Sequence, residues 1–131
     1  MNITAKILTI SGGVITLGFG VWHYAVPAMY KWFSYMPSIP DELRNGITAA
    51  NFFLSTTLTL LGAYTLVVVF TRSENIKVHL IVMSILWLSR VVYQIVKPQG
   101  TMIPGLPMIL ICVFSLTALC FIIPLIMVWE K

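Results

Sequence analysis

One arginine stands out among the residues that could do chemistry in this sequence. Arg90 lies in an apolar run with Trp87, Gln94 and Lys97, at spacings of three, four and three residues. A helix would place all four on one face, as a polar stripe on an otherwise apolar surface. An arginine inside a bilayer costs about 2.5–3.5 kcal/mol on insertion scales unless it is paired or reached by water. We therefore expect Arg90 to lie near the centre of whatever site the protein has.

Several other polar side chains share the depth of Arg90 in the predicted bilayer. His23 lies eight residues before Lys31. Arg90 lies seven residues before Lys97, so both are about 10–12 Å from the same membrane face. The predicted ligand-binding residues, which all fall in this half of the bilayer, are His23, Tyr24, Asn51, Ser55, Trp87, Arg90, Tyr93 and Gln94. Their position at one level predicts a site for a ligand with a polar head.

Five of these eight residues also have a structural interpretation. His23 can bond a backbone carbonyl across helices, and Asn51 can join two helices in the same way. The long stem of Arg90 allows its charge to extend to the lipid headgroups. Trp87 and Tyr93 are typical of the aromatic belt at a membrane interface. A structural network is therefore the main alternative to a ligand site.

The composition places these residues in a membrane protein. Of the 131 residues, 59% are hydrophobic and 9% are charged, whereas a soluble domain carries about 25% charged residues. Four apolar runs are near or above the ~18 residues that predict a transmembrane helix. The predicted fold class is all-α, a polytopic membrane protein that forms an antiparallel bundle of four transmembrane helices. The single domain covers residues 1–131, with spans at residues 7–30, 47–70, 78–96 and 108–129.

The first span has two features that bear on packing. Gly12, Thr16 and Gly20 recur every four residues and form a small-residue face, which another backbone can approach closely. We expect this face to be exposed, where it would suit docking on a partner protein within the membrane. Pro27 has no N–H, so it should kink the last turn of the helix and free a carbonyl near His23.

The connection before the second span predicts a short surface helix. Residues 36–46 contain two prolines followed by acidic and basic side chains. Ser38 or Asp41 could cap this helix, with Pro40 in or near its first turn.

The lysine and arginine residues predict the orientation in the membrane. Four spans place both termini on one side, which holds Lys6, Arg72, Lys77 and Lys131, whereas the other side holds Lys31, Arg44 and Lys97. The positive-inside rule then favours both termini in the cytoplasm. The apolar run after Lys6 is long and is followed by no small-x-small cleavage site, so we interpret it as a span and not as a signal peptide.

Several functions lack the residues that they need. No basic cluster is present, so nucleic-acid binding is not expected. Haem is not expected, because His23 and His79 belong to opposite ends of the bundle. Cys112 and Cys120 lie ~12 Å apart along a helix, too far for a disulfide, and no metal site is predicted. No predicted span contains an acid, which excludes two-carboxylate chemistry and a small four-helix drug exporter with a membrane-embedded glutamate.

The chain resembles the small four-helix bacterial membrane proteins that are grouped as DoxX-like. The matching features are Gly18 and Gly20 followed by His23 and Pro27, Asn51 at the start of the second span, and Trp87 followed by Arg90 in the third. These motifs are short, and the resemblance covers nearly the whole chain. It implies the fold and a bacterial inner membrane. Members of this functionally heterogeneous family are linked to respiratory or thiosulfate-oxidising complexes.

Three functions remain open on the sequence alone. The predicted one is a binding or accessory subunit that holds a lipid, a quinone or another amphipathic ligand at Arg90 and His23. Such a subunit would contact membrane lipids and dock on a larger membrane complex or on copies of itself. The first alternative is a small membrane enzyme acting on a lipid or isoprenoid, with His23 as the catalytic acid or base. The second is a channel or transporter, which needs a polar path that the apolar terminal-side half does not offer.

Overall fold

The protein is helical over most of the part that the structure describes. The structure is a computed structural model and describes residues 1–71 and 75–129. Its helices are α1 (Ile3–Met29), α2 (Asp41–Thr71), α3 (Ile76–Val96) and α4 (Leu106–Trp129), with a short 3₁₀ helix at Trp32–Tyr35. No β-strand occurs within the described ranges. The predicted all-α class with four helices of membrane-spanning length is confirmed.

The surfaces of these helices are suited to lipid. All four helices are long and apolar enough to cross a bilayer. Each exposes large apolar side chains, for example Ile7 on α1, Phe53 on α2, Ile85 on α3 and Met108 on α4. Exposure of so much apolar surface to water is unfavourable, whereas lipid tails are as apolar as these side chains. The chain is a multi-pass membrane protein.

Local signals set where the first two helices begin. The side chain of Asn2 accepts a hydrogen bond from the Ala5 N–H at 2.8 Å, so α1 begins before the predicted span. The carbonyl of Pro40 accepts from the Arg44 N–H, so α2 begins directly after this proline. The predicted surface helix is therefore the first part of α2, since no further proline interrupts the chain there. Residues 71–77, which connect the predicted second and third spans, lie partly outside the described residues.

The chain divides into two compact units. Unit 1 is Met1–Gly12 with Thr65–Lys131, and unit 2 is Gly13–Tyr64. In unit 1, α3 and α4 run antiparallel: the rings of Trp87 and Phe114 are 5.7 Å apart, and the Gln94 side chain approaches the Pro107 carbonyl. The buried large apolar side chains of unit 1 include Leu80, Met83, Trp87, Phe114 and Phe121.

Residues of α1 and α2 complete the other end of unit 1. A Cβ atom on Gly12 would lie 2.8 Å from ring carbons of Phe121, so α1 approaches α4 closely there. His79 Nε2 and Thr65 Oγ1 are 2.8 Å apart, and this hydrogen bond joins α3 to the last part of α2.

Unit 2 is an antiparallel pair formed by α1 and α2. A Cβ atom on Gly20 would lie 2.5 Å from the backbone nitrogen of Thr59, so the two backbones touch. The predicted helix contact at Gly20 is confirmed. The expectation that the small-residue face is exposed for a partner is wrong, because Gly12, Thr16 and Gly20 are all buried within the chain.

Candidate ligand-binding site

Arg90 lies in unit 1, on the side of α3 that faces α4. Its guanidinium carbon is 4.3 Å from the ring centroid of Phe114 and 5.9 Å from that of Tyr93. Nη2 donates a hydrogen bond to Oε1 of Gln99, in the connection that follows α3. Nη1 is inaccessible to solvent and has no hydrogen-bond partner in the described chain. Half of the planar guanidinium fork is therefore bonded, and the other half is buried without an acceptor.

Gln94 holds the connection in which the partner of Arg90 lies. Its side chain is fully buried. Nε2 donates to the Gln99 carbonyl at 3.0 Å, and Oε1 accepts from the Gln99 N–H at 3.3 Å. Both polar atoms of Gln94 are thus bonded to the backbone of the α3–α4 connection, so the structure gives this residue a positioning role.

Two aromatic residues flank Arg90 on α3, and they differ in exposure. Trp87 is only 2% exposed and packs against Phe114. Tyr93 is 52% exposed. Trp87 thus belongs to the core of unit 1, whereas Tyr93 lies at its surface, where an aromatic ring beside a cation can contact a ligand or lipid.

In unit 2, His23 and Asn51 are joined by two hydrogen bonds. Asn51 Nδ2 donates to the His23 carbonyl at 3.0 Å, and Asn51 Oδ1 lies 3.0 Å from His23 Nδ1. In a regular helix the His23 carbonyl would accept from the N–H of residue 27, which is a proline here. The predicted freeing of a carbonyl by Pro27 thus explains the position of Asn51, whose amide replaces the missing donor.

The same pair of hydrogen bonds determines which ring nitrogen of His23 carries hydrogen. A reversed amide would set the Asn51 oxygen against the His23 carbonyl oxygen, two acceptors that repel. Oδ1 must therefore accept from Nδ1–H of His23. In the neutral ring, Nε2 then carries the lone pair.

The remaining predicted site residues of unit 2 are hydrogen-bonded within that unit, Tyr24 to the neighbouring helix and Ser55 to its own. The Tyr24 hydroxyl and Thr56 Oγ1 are 2.7 Å apart, and both side chains are at least partly exposed. Ser55 is buried, and its hydroxyl donates to the Asn51 carbonyl one turn earlier at 2.7 Å. Ser55 therefore bonds within its own helix.

The eight predicted residues fall into two groups. Trp87, Arg90, Tyr93 and Gln94 belong to unit 1, and His23, Tyr24, Asn51 and Ser55 belong to unit 2. The predicted single site that combines Arg90 with His23 stays a prediction. Within unit 1, the predicted face of α3 is observed: Trp87 and Gln94 are buried and Arg90 is half-buried, while Lys97 lies exposed beyond the helix.

Sequence reasoning missed Gln99 and Phe114, the two residues that contact the Arg90 guanidinium most directly. A usable signal existed for Phe114. It lies eight residues after the start of α4 and Arg90 lies six before the end of α3, so an antiparallel pair brings them to similar depths. Gln99 gave no such signal, since its position depends on the conformation of the connection.

No family model, curated protein or solved structure was found to match the chain. The resemblance to DoxX-like proteins therefore stays a prediction, and the function is argued from the geometry of the site.

Proposed function

We propose that the protein is an integral membrane binding subunit that holds an amphipathic ligand, a lipid or a quinone, by its polar head at Arg90. The proposal depends mainly on one observation. Nη1 of Arg90 is a charged donor that is buried and has no acceptor in the described chain. An oxygen of a ligand would satisfy it.

The charge of Arg90 is only partly compensated by its neighbours. The described residues of unit 1 contain no aspartate or glutamate. The Gln99 amide bonds one nitrogen, and the Phe114 ring attracts the cation by about 0.5–2 kcal/mol. A buried donor without an acceptor costs about 1–3 kcal/mol, and more when it is charged. Ionisable groups in such membrane positions are typical of functional sites.

The surroundings of Arg90 suit the apolar part of such a ligand. Val92 and Val96 near the end of α3 are exposed, as is Met108 near the start of α4. Because α3 and α4 are antiparallel, all three belong to the end of unit 1 at which Arg90 is bonded. An acyl or isoprenoid chain could lie along this apolar surface with its head at the guanidinium.

The accessory role rests on how little of the chain lies outside the helices. The connections at residues 30–40 and 97–105 are short, so docking on a larger membrane complex or on a second copy would use helix surfaces within the bilayer. The buried small-residue face cannot serve, which leaves the exposed apolar faces. The resemblance to DoxX-like proteins supports such a partner.

The same resemblance supports a bacterial inner membrane as the location of the protein. Both termini in the cytoplasm follow from the lysine and arginine count. In that count, Arg72 and Lys131 lie outside the described residues.

Mass spectrometry of the lipids that copurify in a neutral detergent tests the proposal. The wild-type protein should retain one lipid or quinone species in near-stoichiometric amount, and Arg90→Met should lose it because methionine has no donor. Lys97→Met is the matched control, since it removes an exposed cation that follows α3 directly. Retention of the species by Arg90→Met, or equal loss in both variants, contradicts the proposal.

One observation favours the alternative of a membrane enzyme. Asn51 fixes the His23 ring with hydrogen on Nδ1, which leaves a lone pair on Nε2 in the neutral form, the arrangement that a general base needs. If His23 is catalytic, the copurified molecule should be converted to a product by the wild-type protein and remain unchanged with His23→Phe. An identical product yield from both proteins rules this alternative out.

A further inference from the structure

Gln99 is held in place by its backbone, independently of its side chain. Gln94 bonds both the N–H and the carbonyl of Gln99. The Gln99 side chain reaches Arg90 from an exposed position in the α3–α4 connection. A rotation of this side chain would therefore break the bond to Arg90 and leave the connection folded.

We propose that Gln99 determines the specificity of the Arg90 site, because its amide oxygen occupies the place of one oxygen of the ligand head. The ligand binds by displacing this side chain. This inference rests on the proposed function, which assigns the ligand head to Arg90.

The number of bonds at the guanidinium supports displacement. An amide has one oxygen, and that of Gln99 satisfies Nη2 while Nη1 stays without an acceptor. A carboxylate or phosphate has at least two oxygens at the spacing of the guanidinium fork and can accept from both nitrogens at once. Such a head can accept from Nη2, as Gln99 does, and also from Nη1, which Gln99 does not bond.

Competition with Gln99 also selects the charge of the ligand. A tethered side chain acts at an effective concentration in the millimolar range. A quinone carbonyl is a neutral acceptor like the amide oxygen, so it gains little by the exchange. An anionic oxygen forms a charge-assisted hydrogen bond that is roughly twice as strong, and it neutralises a charge that no described acid in unit 1 compensates. The geometry points to an acyl-chain molecule with an anionic head, either a carboxylate or a phosphodiester.

Native mass spectrometry of the full chain in a neutral detergent tests this inference with three probes: palmitate, palmitoyl-oleoyl phosphatidylglycerol and decylubiquinone. Gln99→Ala removes the competing oxygen and keeps both backbone bonds to Gln94. It should raise the affinity for the anionic probes about tenfold, the order expected for one hydrogen bond to a charged group. Gln99→Glu supplies an internal anion and should lower that affinity by at least tenfold. Thr101→Ala, an exposed change in the same connection, should have no effect.

The outcomes separate this inference from the proposed function. Tighter binding of decylubiquinone than of both anionic probes to the wild-type protein overturns the ligand class. Equal affinities for wild type and Gln99→Ala overturn the role of Gln99, even where Arg90→Met abolishes binding and so supports the proposed function. Equal binding of the probes by wild type and Arg90→Met overturns the proposed function itself. Preference for palmitate or for phosphatidylglycerol supports the inference in either case and identifies the head as carboxylate or phosphate.

Discussion

At the scale of single residues, Asn51 compensates for the donor that Pro27 lacks. Its amide bonds the His23 carbonyl and ring at once. We predict that Asn51→Leu lowers the free energy of unfolding by about 1–2 kcal/mol, the range of interhelical hydrogen bonds in membranes. Unfolding in mixed micelles of a neutral and a denaturing detergent measures this loss.

A double-mutant cycle identifies the cause. Pro27→Ala restores an N–H that can bond the His23 carbonyl within α1, so Asn51→Leu should cost less in that background. Asn45→Leu, the same change at an exposed position of α2, should be nearly neutral. An unchanged cost of Asn51→Leu in the Pro27→Ala background would show that the carbonyl is not the important partner.

Arg90 and Gln94 should respond in opposite ways to apolar substitution. Arg90→Met removes a charge with an unsatisfied donor, so the ligand-free protein should be as stable as wild type or more stable, by up to a few kcal/mol. Gln94→Leu leaves the Gln99 N–H and carbonyl without their partner and should cost about 1–3 kcal/mol. The same micelle unfolding assay measures the change in the free energy of unfolding for both variants. A larger loss for Arg90→Met than for Gln94→Leu would make Arg90 a structural residue.

At the scale of helices, two glycines of α1 allow a matched test of close packing. A Cβ atom on Gly20 would lie 2.5 Å from the α2 backbone, whereas one on Gly18 would meet nothing within 4 Å. Gly20→Ala should therefore destabilise the protein by about 1–3 kcal/mol. Gly18→Ala should be neutral or stabilise it by up to about 1 kcal/mol through helix propensity. Equal tolerance in a thermal-stability assay in detergent would contradict the α1–α2 contact.

The features that depend on periodicity could be predicted from the sequence, and those that depend on a connection could not. Four apolar runs predict the helices, and the spacing of Trp87 and Gln94 predicts the buried face of α3. The bond from Gln99 to Arg90 requires a specific path between α3 and α4, with Gly100 and Gly105 at φ angles of 80° and 81°. Glycine adopts positive and negative φ angles about equally readily. The presence of Gly100 and Gly105 in the sequence therefore does not define the path of the connection.

The small-residue face shows a second limit of the sequence. A repeat of small residues predicts that another backbone approaches α1 closely, but it does not indicate which helix supplies that backbone. In the structure Gly12 contacts Phe121 of α4, whereas Gly20 contacts Thr59 of α2. Two positions of one repeat therefore approach different helices, Gly12 within unit 1 and Gly20 within unit 2, which the repeat alone cannot indicate.

At the scale of the whole molecule, four spans place the connections at residues 30–40 and 97–105 on the side opposite the termini, and the lysine and arginine count predicts that this side is outside. Single cysteines at Ser38 and Thr101, in a background without Cys112 and Cys120, should react with a membrane-impermeant maleimide added outside intact cells. A cysteine at Asn75 should react only after permeabilisation, because it precedes α3 on the terminal side. The reverse labelling pattern would place both termini outside.

The bond from Asn51 to the His23 carbonyl also constrains the order of events during synthesis. The ribosome completes α1 before α2 exists, and an isolated α1 would expose that carbonyl to hydrocarbon at a cost of several kcal/mol. We expect α1 to enter the bilayer efficiently only when α2 follows, so that the two are released as a hairpin. In a glycosylation-based insertion assay, chains that end after residue 40 should insert less than chains that end after residue 71. Pro27→Ala should remove this difference in insertion. If the difference persists in Pro27→Ala, the N–H that Pro27 lacks is not its cause.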